Sequence, residues 1–496
     1  MRILFFDIGE IDYKGIEILT AVLKQHGHTV DLLLDPGLGK HYYLKLPFLN
    51  RLFSKNFLVK KAIAFNPDLI GMSVVTNNFH YFREFGQKLK LAADIPIIVG
   101  GIHPTSVPEE VIKEDWVDMV CVGDGEEAIS ELAEKMENHQ DIFHIKNLWI
   151  KDKNGKVYKN ELRPLTENID LHPFPDRSIY HQYGVLGKRI RFMTGRGCPY
   201  QCTFCVNSFR NDLYPGQAYL RKRSVKSIIE ELELIKKEYK PKAIRFEDDV
   251  FVLNMEWLRE FKIEYIKKIG LPFHCYITPS GVKQDVINEL RACGCNSIAM
   301  GIQSGNPELR SKILNRHYKN STVTEAAKII KKSGIKLYAE YMFGIPEETP
   351  AKMWETVRLA EEVNADNNWT SIFYPYPKTK LGDYAIENKL IDYPAYNKMI
   401  SGYGNPHSMS ILNHPHATEA FKFKALLPLY LALPFFFKPI IRLFLNTNFG
   451  VIHKFLYIVS IPLLEKREFF YRIRRIPLII YKTISVLSRF NHSNSC

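Results

Sequence analysis

The first three quarters of the chain repeat one local pattern: a short apolar run, then a polar or glycine-rich cluster, then an amphipathic stretch. Short apolar runs bounded by turn signals predict buried strands, and apolar residues at three- and four-residue spacing predict helices. Regular alternation of the two predicts an α/β protein built on parallel sheets. Ligands in such folds bind where the strands end, so the clusters that follow the strands are the candidate functional segments.

Five of these units precede residue 140, and their apolar runs cover 3–6, 28–34, 67–76, 95–101 and 118–122. They predict a doubly wound, Rossmann-like domain over residues 1–140. The glycine pair Gly100 and Gly101 allows a backbone to approach a bulky ligand closely. The alternative is a purely structural domain in which the glycines only serve turns.

A connector follows over residues 141–180. Lys153, Asn154, Gly155 and Lys156 lie between two apolar runs and predict a hairpin turn. Prolines in the segment 171–176 predict a stiff, extended linker.

Six more strand and helix units follow, with predicted strands at 190–194, 242–246, 273–278, 296–300, 336–343 and 371–374. They predict a partial (β/α)6 TIM-type barrel over residues 181–400. Each polar or glycine-rich cluster falls at the carboxyl end of a strand, where α/β barrels place their active sites.

Three cysteines, Cys198, Cys202 and Cys205, are spaced C-x3-C-x2-C on the loop after the first of these strands. Iron–sulfur cubanes are normally held by four thiolates, and no fourth cysteine lies nearby, so one iron is left for a ligand that is not protein. A structural zinc site needs a fourth ligand at short spacing. The other cysteines are scattered, which is not a secreted disulfide framework. The pattern predicts an open [4Fe-4S] cluster.

This cysteine pattern, with Phe204 before the last cysteine and on the first loop of a six-unit barrel, resembles the radical S-adenosylmethionine (SAM) enzymes. The segments 73–76, 100–105 and 123–126 resemble the cobalamin-binding domain of the B12-dependent members, with Asp124 where the family often has glutamate. The chain looks closest to the group that holds the anaerobic magnesium-protoporphyrin cyclase and the hopanoid methylases. The D-x-H-x-x-G signature of other cobalamin proteins is absent, which leaves the lower axial ligand of cobalt open.

The resemblance implies two sets of contacts beyond the three metal-ligating cysteines. The implied SAM contacts are Phe204, Glu247, Asp248, Asp249, Gln303, Ser304, Gly344 and Pro346. The implied cobalamin contacts are Ser73, Thr76, Gly100, Gly101, His103, Pro104, Thr105, Gly123, Gly125 and Glu126. Relatives often have glutamate in place of Gln303, and the alternative for the three acids is a solvated turn. No catalytic acid or base is assigned; Tyr374, Tyr376 and His407 lie in mouth regions, with simple packing as the alternative.

The same resemblance implies the chemistry. A flavodoxin- or ferredoxin-type donor reduces the cluster, SAM is cleaved to methionine and a 5′-deoxyadenosyl radical, and the radical takes hydrogen from an unactivated carbon. Methylation of that carbon from methylcobalamin is the leading hypothesis. The alternatives are cyclisation, ring rearrangement or C–C bond formation without methyl transfer, and a non-catalytic sensor. A methylthiotransferase needs a second cysteine trio near the N-terminus, where only Cys121 stands.

Most of the net charge of +13 lies after residue 420, where 12 Lys and Arg stand against two acids, Glu465 and Glu468. The segment 425–445 is apolar but broken by prolines, Lys438 and Arg442, which argues against a membrane span. Residues 401–496 therefore predict basic, apolar helices at a membrane interface, with a helical cap on the barrel as the alternative. The near-neutral body argues against nucleic acid, and residues 1–7 predict a strand rather than a signal peptide. A cytoplasmic protein, peripheral on the inner face of the membrane and acting on a small or lipid-like substrate, is the expectation.

Overall fold

The computed structural model describes residues 1–9, 11–37, 53–403, 411–446 and 466–490. Within these ranges the chain forms two large sheets, and each sheet has its own apolar core. The predicted α/β class with parallel sheets is confirmed.

The N-terminal sheet has the strand order β2-β1-β3-β4-β5-β6-β7. Its strands are β1 (Arg2–Ile8), β2 (Thr29–Asp35), β3 (Leu69–Ser73), β4 (Ile97–Gly100), β5 (Met119–Cys121), β6 (Leu148–Lys151) and β7 (Val157–Lys159). The helices between them are α1 (Lys14–Gln25), α2 (Lys55–Phe65), α3 (Phe79–Ala92), α4 (Ile102–Ser106), α5 (Pro108–Ile112) and α6 (Glu126–Glu137). The strands β1 to β5 are parallel, and their apolar runs are buried because helices cover both faces.

The order of the strands reverses between β1 and β3, since β1 pairs with β2 on one side and with β3 on the other. A crevice opens at such a switch point, outside the carboxyl ends of the strands. The strand ends at Ile8, Ser73, Gly100 and Cys121 therefore surround the natural ligand site of this sheet.

The predicted hairpin around Asn154 and Gly155 is present as β6 and β7. The strand β6 pairs antiparallel with β5, so the hairpin extends the N-terminal sheet beyond residue 140. The short helix α7 (Ser178–His181) follows the proline-rich linker.

In the part of the chain that the structure describes, eight strands follow the linker: β8 (Arg189–Phe192), β9 (Gly195–Arg196), β10 (Arg221–Lys222), β11 (Ala243–Phe246), β12 (Phe273–Tyr276), β13 (Cys295–Gln303), β14 (Lys336–Phe343) and β15 (Asn367–Ile372). Six of them form the second sheet, which is wholly parallel and has the order β15-β14-β13-β12-β11-β8. The strands β9 and β10 form a separate antiparallel ribbon. The helices of this region are α8 (Val206–Asp212), α9 (Val225–Tyr239), α10 (Met255–Lys268), α11 (Gln284–Ala292), α12 (Asn320–Lys332), α13 (Pro350–Val363), α14 (Lys380–Glu387) and α15 (Tyr393–Lys398).

The last strand of the second sheet lies earlier than predicted. The prediction was 371–374, but β15 runs from Asn367 to Ile372, and residues 373 and 374 lie beyond its end. The strand begins with Asn367, Asn368 and Trp369, which are only half-buried, so it lacks the apolar run on which the prediction depended.

Two described parts of the C-terminal region pack on the body of the protein. The helix α16 (Ala417–Ala432) lies against β14 and β15 and buries Phe423, Leu426 and Tyr430 in the core of the second sheet. The helices α17 (Lys438–Asn446) and α18 (Lys466–Arg489) follow, and Val486 and Leu487 of α18 join the core of the N-terminal sheet. The helix α16 therefore packs on the second sheet, as the cap alternative predicts. It contains residues 425–432, which belong to the segment predicted to lie at a membrane interface. No helix in the described ranges is both long enough and apolar enough to cross a bilayer.

Candidate active site

The cysteine loop is anchored at its start by a buried carboxylate. Thr194 follows β8 directly, and both its backbone N–H and its hydroxyl donate to Asp248, with N···O distances of 3.0 and 3.1 Å and an O···O distance of 2.6 Å. Thr203, inside the loop, donates from its backbone N–H to the carbonyl of Leu314 and accepts from the backbone N–H of Leu381. Residues after β11, before α12 and on α14 therefore hold the loop in place.

The three thiols of Cys198, Cys202 and Cys205 are half-buried, and no disulfide joins the described cysteines. Burial raises the pKa of the Cys198 thiol to about 12, and Cys205 and Cys202 add to this shift. Burial also raises the pKa values of the Cys202 and Cys205 thiols.

The described residues contain no group of three or more His, Cys, Asp or Glu side chains arranged around a single metal ion. A cubane does not need one, because each thiolate binds a different iron atom of the cluster. The remaining described cysteines, Cys121, Cys275, Cys293 and Cys295, are buried elsewhere. The donor set fits an iron–sulfur cluster with three protein ligands.

The structure separates the three acids that follow β11. Glu247 pairs with Arg191 and Arg245 at 3.1 and 2.8 Å, and Asp248 anchors Thr194. Of the three, Asp249 alone lines a cavity between the N-terminal sheet and the second sheet, and burial there raises its pKa. Asp249 also forms a hydrogen bond with Asn207, two residues after Cys205.

Of the two further predicted SAM segments, the Gly344–Pro346 turn meets the cysteine loop. Phe204 packs against a small apolar cluster that includes Ile345, so the loop and the Gly344–Pro346 turn lie together. Gln303 has a left-handed backbone, with φ of 70°, where β13 and β14 slip out of register. The Ser304 hydroxyl is fully buried and accepts from the backbone N–H of Asn306, which gives it a structural role in this state.

Sequence reasoning missed Arg316. Its guanidinium donates to the carbonyl of Gly301 at 2.9 Å and acts to lower the pKa of the Cys202 thiol. The residue thus joins the end of β13 to the cysteine loop. It lies on the loop before α12 with no motif around it, so the sequence carries no signal for this role.

One cavity of about 320 Å³ lies between the N-terminal sheet and the second sheet. From the N-terminal side it is lined by the predicted residues Ser73, Gly100, Gly101, Gly123, Gly125 and Glu126. From the other side it is lined by Gly195, Arg196, Gly197, Asn207, Arg210 and Asp249, which surround the cysteine loop. A cavity of this size is typical of a small-molecule or cofactor site.

Two glycines in the wall on the N-terminal side, Gly15 and Gly100, leave room for a bulky, flat group. A Cβ added to Gly15 would meet only the Ser73 hydroxyl, at 3.6 Å, and one added to Gly100 would meet only Cys121. The space in front of these glycines is otherwise open, which suits the close approach of a corrin ring.

Four of the predicted cobalamin contacts, Thr76, His103, Pro104 and Thr105, do not line this cavity. His103 is fully buried, its Nδ1 lies 3.3 Å from the Thr76 hydroxyl, and its ring packs on Phe79. Burial lowers the pKa of His103 to about 3, so the ring is neutral. The Thr105 hydroxyl donates to the carbonyl of Gly101 and accepts from the N–H of Gly123, which joins the two glycine loops.

The three mouth residues have different surroundings. Tyr374 is buried. The Tyr376 hydroxyl accepts from the Asn77 side chain at 2.7 Å, which links the second sheet to the loop after β3. His407 lies outside the described residues.

Glu348 provides a pH-sensitive anchor for the Gly344–Pro346 turn. One of its oxygens accepts from the backbone N–H of Gly344 at 2.7 Å, and burial raises its pKa to about 8 despite Lys352 nearby. The folded state therefore holds this proton more tightly than the unfolded state, whose carboxyl has a pKa near 4.5.

As the pH is raised from 5 to 8, we expect the free energy of unfolding to fall less in the Glu348→Gln variant than in the wild type. The contribution of the protonated carboxyl is complete below the unfolded pKa and is lost as the pH rises through the folded pKa. Glutamine keeps an acceptor oxygen but does not titrate. Thermal unfolding at both pH values measures the difference, with Glu347→Gln at the exposed neighbouring residue as the matched control. Equal pH slopes in the wild type and Glu348→Gln would contradict the expectation.

Two family models match the sequence of the chain: the radical SAM superfamily over residues 192–360 and the B12-binding domain over residues 9–133. The chain belongs to the radical SAM superfamily, in the group that carries a B12-binding domain. It is a cobalamin-dependent radical SAM enzyme, and its cofactors are SAM, a [4Fe-4S] cluster and cobalamin.

Individual relatives agree with this assignment. An uncharacterized methyltransferase of Pyrococcus horikoshii is 30% identical over 342 residues, which cover 67% of this chain and 72% of the relative. The anaerobic magnesium-protoporphyrin IX monomethyl ester cyclase of Rubrivivax gelatinosus is 24% identical, covering 77% of this chain and 69% of the cyclase. The radical SAM methyltransferase TsrM of Kitasatospora setae, solved with cobalamin and a [4Fe-4S] cluster, shares the fold with a TM-score of 0.64 at 19% identity, covering 78% of each chain.

Proposed function

We propose that the protein methylates an unactivated carbon of a small or lipid-like substrate inside the cavity between its two sheets. The observation that carries the proposal is the shared lining of that cavity. Glycine loops at the ends of β4 and β5 form one wall, and residues around the cysteine loop form the other. The substrate would thus lie between the two halves of the cofactor machinery.

In this proposal the second sheet is the partial (β/α)6 barrel of the family and the first is its Rossmann-like cobalamin domain. Cys198, Cys202 and Cys205 hold the cluster, while Asp249, Gln303, Phe204 and the Gly344–Pro346 turn border the SAM site. Ser73 and the glycine loops hold cobalamin. When bound, the cluster and one SAM would supply hydrogen abstraction from carbon, and cobalamin would supply the methyl group, which is replaced from a second SAM that leaves as S-adenosylhomocysteine.

The task of the chain itself is to position the substrate and exclude water. At the ends of β8 and β11, Glu247 forms ion pairs with Arg191 and Arg245. Arg191 also donates to the carbonyl of Asp12 at 3.0 Å, which ties the loop after β1 to the second sheet. This hydrogen bond is one of the contacts that join the two halves of the protein beside the cavity.

Product analysis after anaerobic reconstitution tests the proposal. The protein is loaded with iron, sulfide and cobalamin, reduced, and incubated with SAM and a membrane lipid extract. We expect corrin absorbance on the purified protein, and both 5′-deoxyadenosine and S-adenosylhomocysteine among the products. 5′-Deoxyadenosine without S-adenosylhomocysteine would instead indicate ring formation or rearrangement, the chemistry that the name of the cyclase relative suggests. Neither product would indicate a sensor.

We further propose that the C-terminal region brings the enzyme to an anionic membrane surface, which supports a lipid-like substrate. Phe435, Phe436 and Phe437 stand in a row with large exposed fractions, 81% for Phe435, and Leu443 of α17 is also exposed. Aromatic and aliphatic side chains of this kind, in a strongly basic segment, suit the boundary between headgroups and acyl chains.

Sedimentation with vesicles tests the membrane proposal. The wild type should pellet with vesicles that contain anionic lipid and should do so less with vesicles of neutral lipid. The double variant Phe435→Ser/Phe436→Ser should lose most of this binding, whereas Leu91→Ser, at an exposed residue of α3, should not. Binding that is the same in the double variant and in the wild type would refute the proposal.

A further inference from the structure

Asp124 is the centre of an ion-pair hub between the two cofactor loops. Its carboxylate accepts from Arg196 at 3.1 Å, from Arg210 at 3.1 Å and from Arg221 at 2.9 Å. Arg196 is two residues before Cys198, and Arg210 lies on α8, five residues after Cys205. The three arginines therefore flank the cysteine loop on both sides, while Asp124 belongs to the glycine loop of the N-terminal sheet.

The hub is well built on the side of the glycine loop. The carbonyl of Asp124 accepts from the Asn147 side chain at 2.6 Å, and its N–H donates to the Tyr214 hydroxyl at 3.2 Å. The neighbouring Glu126 forms a second ion pair with Arg196. Gly123, Asp124, Gly125 and Glu126 all line the cavity, so a ligand there touches the loop that carries the hub.

The ion pairs are also partly withdrawn from water, with the side chains of Arg196 and Arg210 24% and 31% exposed. The side chains of Asp124 and Arg221 are 18% and 3% exposed. Although burial raises it, the pKa of Asp124 is held below its usual range by the three arginines. Buried charges of this kind depend on one another, because removal of one partner leaves the others uncompensated.

We propose that Asp124 is a positioning residue that couples cobalamin binding to retention of the iron–sulfur cluster. Cobalamin in the cavity would hold the glycine loop in place. Through Asp124, that loop would hold the three arginines, and the arginines would hold the cysteine loop that they flank. Linkage requires the reverse effect, so the cluster should raise the affinity for cobalamin by the same factor. This inference rests on the proposed cobalamin site but adds a property that the cofactor assignment does not require.

Iron release measures the coupling without reference to turnover. Reconstituted protein is mixed anaerobically with an iron chelator, with and without bound hydroxocobalamin, and the loss of cluster absorbance is followed. In the wild type, cobalamin should slow the release severalfold; a coupling of about fivefold in affinity, the lower end of the typical range between sites, sets the scale. In Asp124→Asn the rates with and without cobalamin should be nearly equal, while Asp124→Glu should keep most of the difference because it keeps the carboxylate.

Two further variants keep the test decisive. Asp35→Asn removes a buried carboxylate that pairs with Lys55 at 3.0 Å within the N-terminal half, and it should leave the coupling intact. Arg210→Gln removes one of the three arginines, and it should show a reduced cobalamin effect even where Asp124→Asn fails to fold.

The outcomes distinguish this inference from the proposed function. Wild-type protein that takes up no cobalamin would overturn both. Wild-type protein that binds cobalamin but releases iron at an unchanged rate would overturn the coupling alone. The coupling would equally be overturned if Asp124→Asn and Arg210→Gln both kept the full effect of cobalamin.

Discussion

The Cys202→Ala variant should lose the iron–sulfur cluster and form no more 5′-deoxyadenosine than a protein-free control. The trio supplies three protein ligands with no spare cysteine beside it among the described residues, so the loss of one thiolate leaves an iron without its anchor. Iron content, the cluster absorbance of anaerobically reconstituted protein and nucleoside analysis by mass spectrometry measure the effect.

Cys275→Ala is the matched control for this prediction. Cys275 is fully buried in β12, and its sulfur lies 3.9 Å from that of Cys295, away from the trio. Its replacement should cost some stability through lost packing but should leave cluster content and product formation near the wild-type level. A Cys202→Ala protein that keeps a full cluster and forms 5′-deoxyadenosine would contradict the assignment of the loop.

The Glu231→Ala variant should unfold with a free energy lower by about 3–5 kcal/mol, the range found when one partner of a buried ion pair is removed. Glu231 on α9 lies 2.5 Å from Arg177 of the linker and also pairs with Arg223. The side chains of Glu231 and Arg177 are 2% and 3% exposed. Alanine leaves two guanidinium groups buried without this carboxylate.

Denaturant unfolding of the wild type, Glu231→Ala and Glu233→Ala measures this prediction. Glu233 lies on the same helix but is exposed, and its replacement should change the free energy of unfolding by less than about 0.5 kcal/mol, as is usual for surface sites. If the free energy of unfolding fell as little in Glu231→Ala as in Glu233→Ala, the buried ion pairs around Arg177 would not stabilise the fold.

Strands with a continuous apolar run could be predicted well from the sequence. The strand β14 covers 336–343 as predicted, because most of its residues are apolar and five of the eight are buried. The strand β15 was misplaced because its first residues are polar or half-exposed. A run of apolar residues predicts a buried strand, and too few residues of β15 are buried for such a run to be present.

The direction of individual side chains could not be predicted. The run Glu247, Asp248, Asp249 implied one group of acids, but successive residues at the end of a strand point to different sides. One residue consequently meets Arg191, the next meets Thr194, and the third meets the cavity. The ion pairs of Asp124 could not be predicted either, since its three arginine partners lie 72, 86 and 97 residues away in the chain.

Methyl transfer inside the shared cavity is tested most directly with SAM that carries a deuterated methyl group. Reconstituted, cobalamin-loaded protein is incubated anaerobically with this SAM, a low-potential reductant and a membrane lipid extract, and the lipids are analysed by mass spectrometry. We expect a new lipid species that carries the deuterated methyl group and is absent when cobalamin or the cluster is omitted. Formation of 5′-deoxyadenosine with no deuterium in any product and no S-adenosylhomocysteine would contradict the proposed methyl transfer.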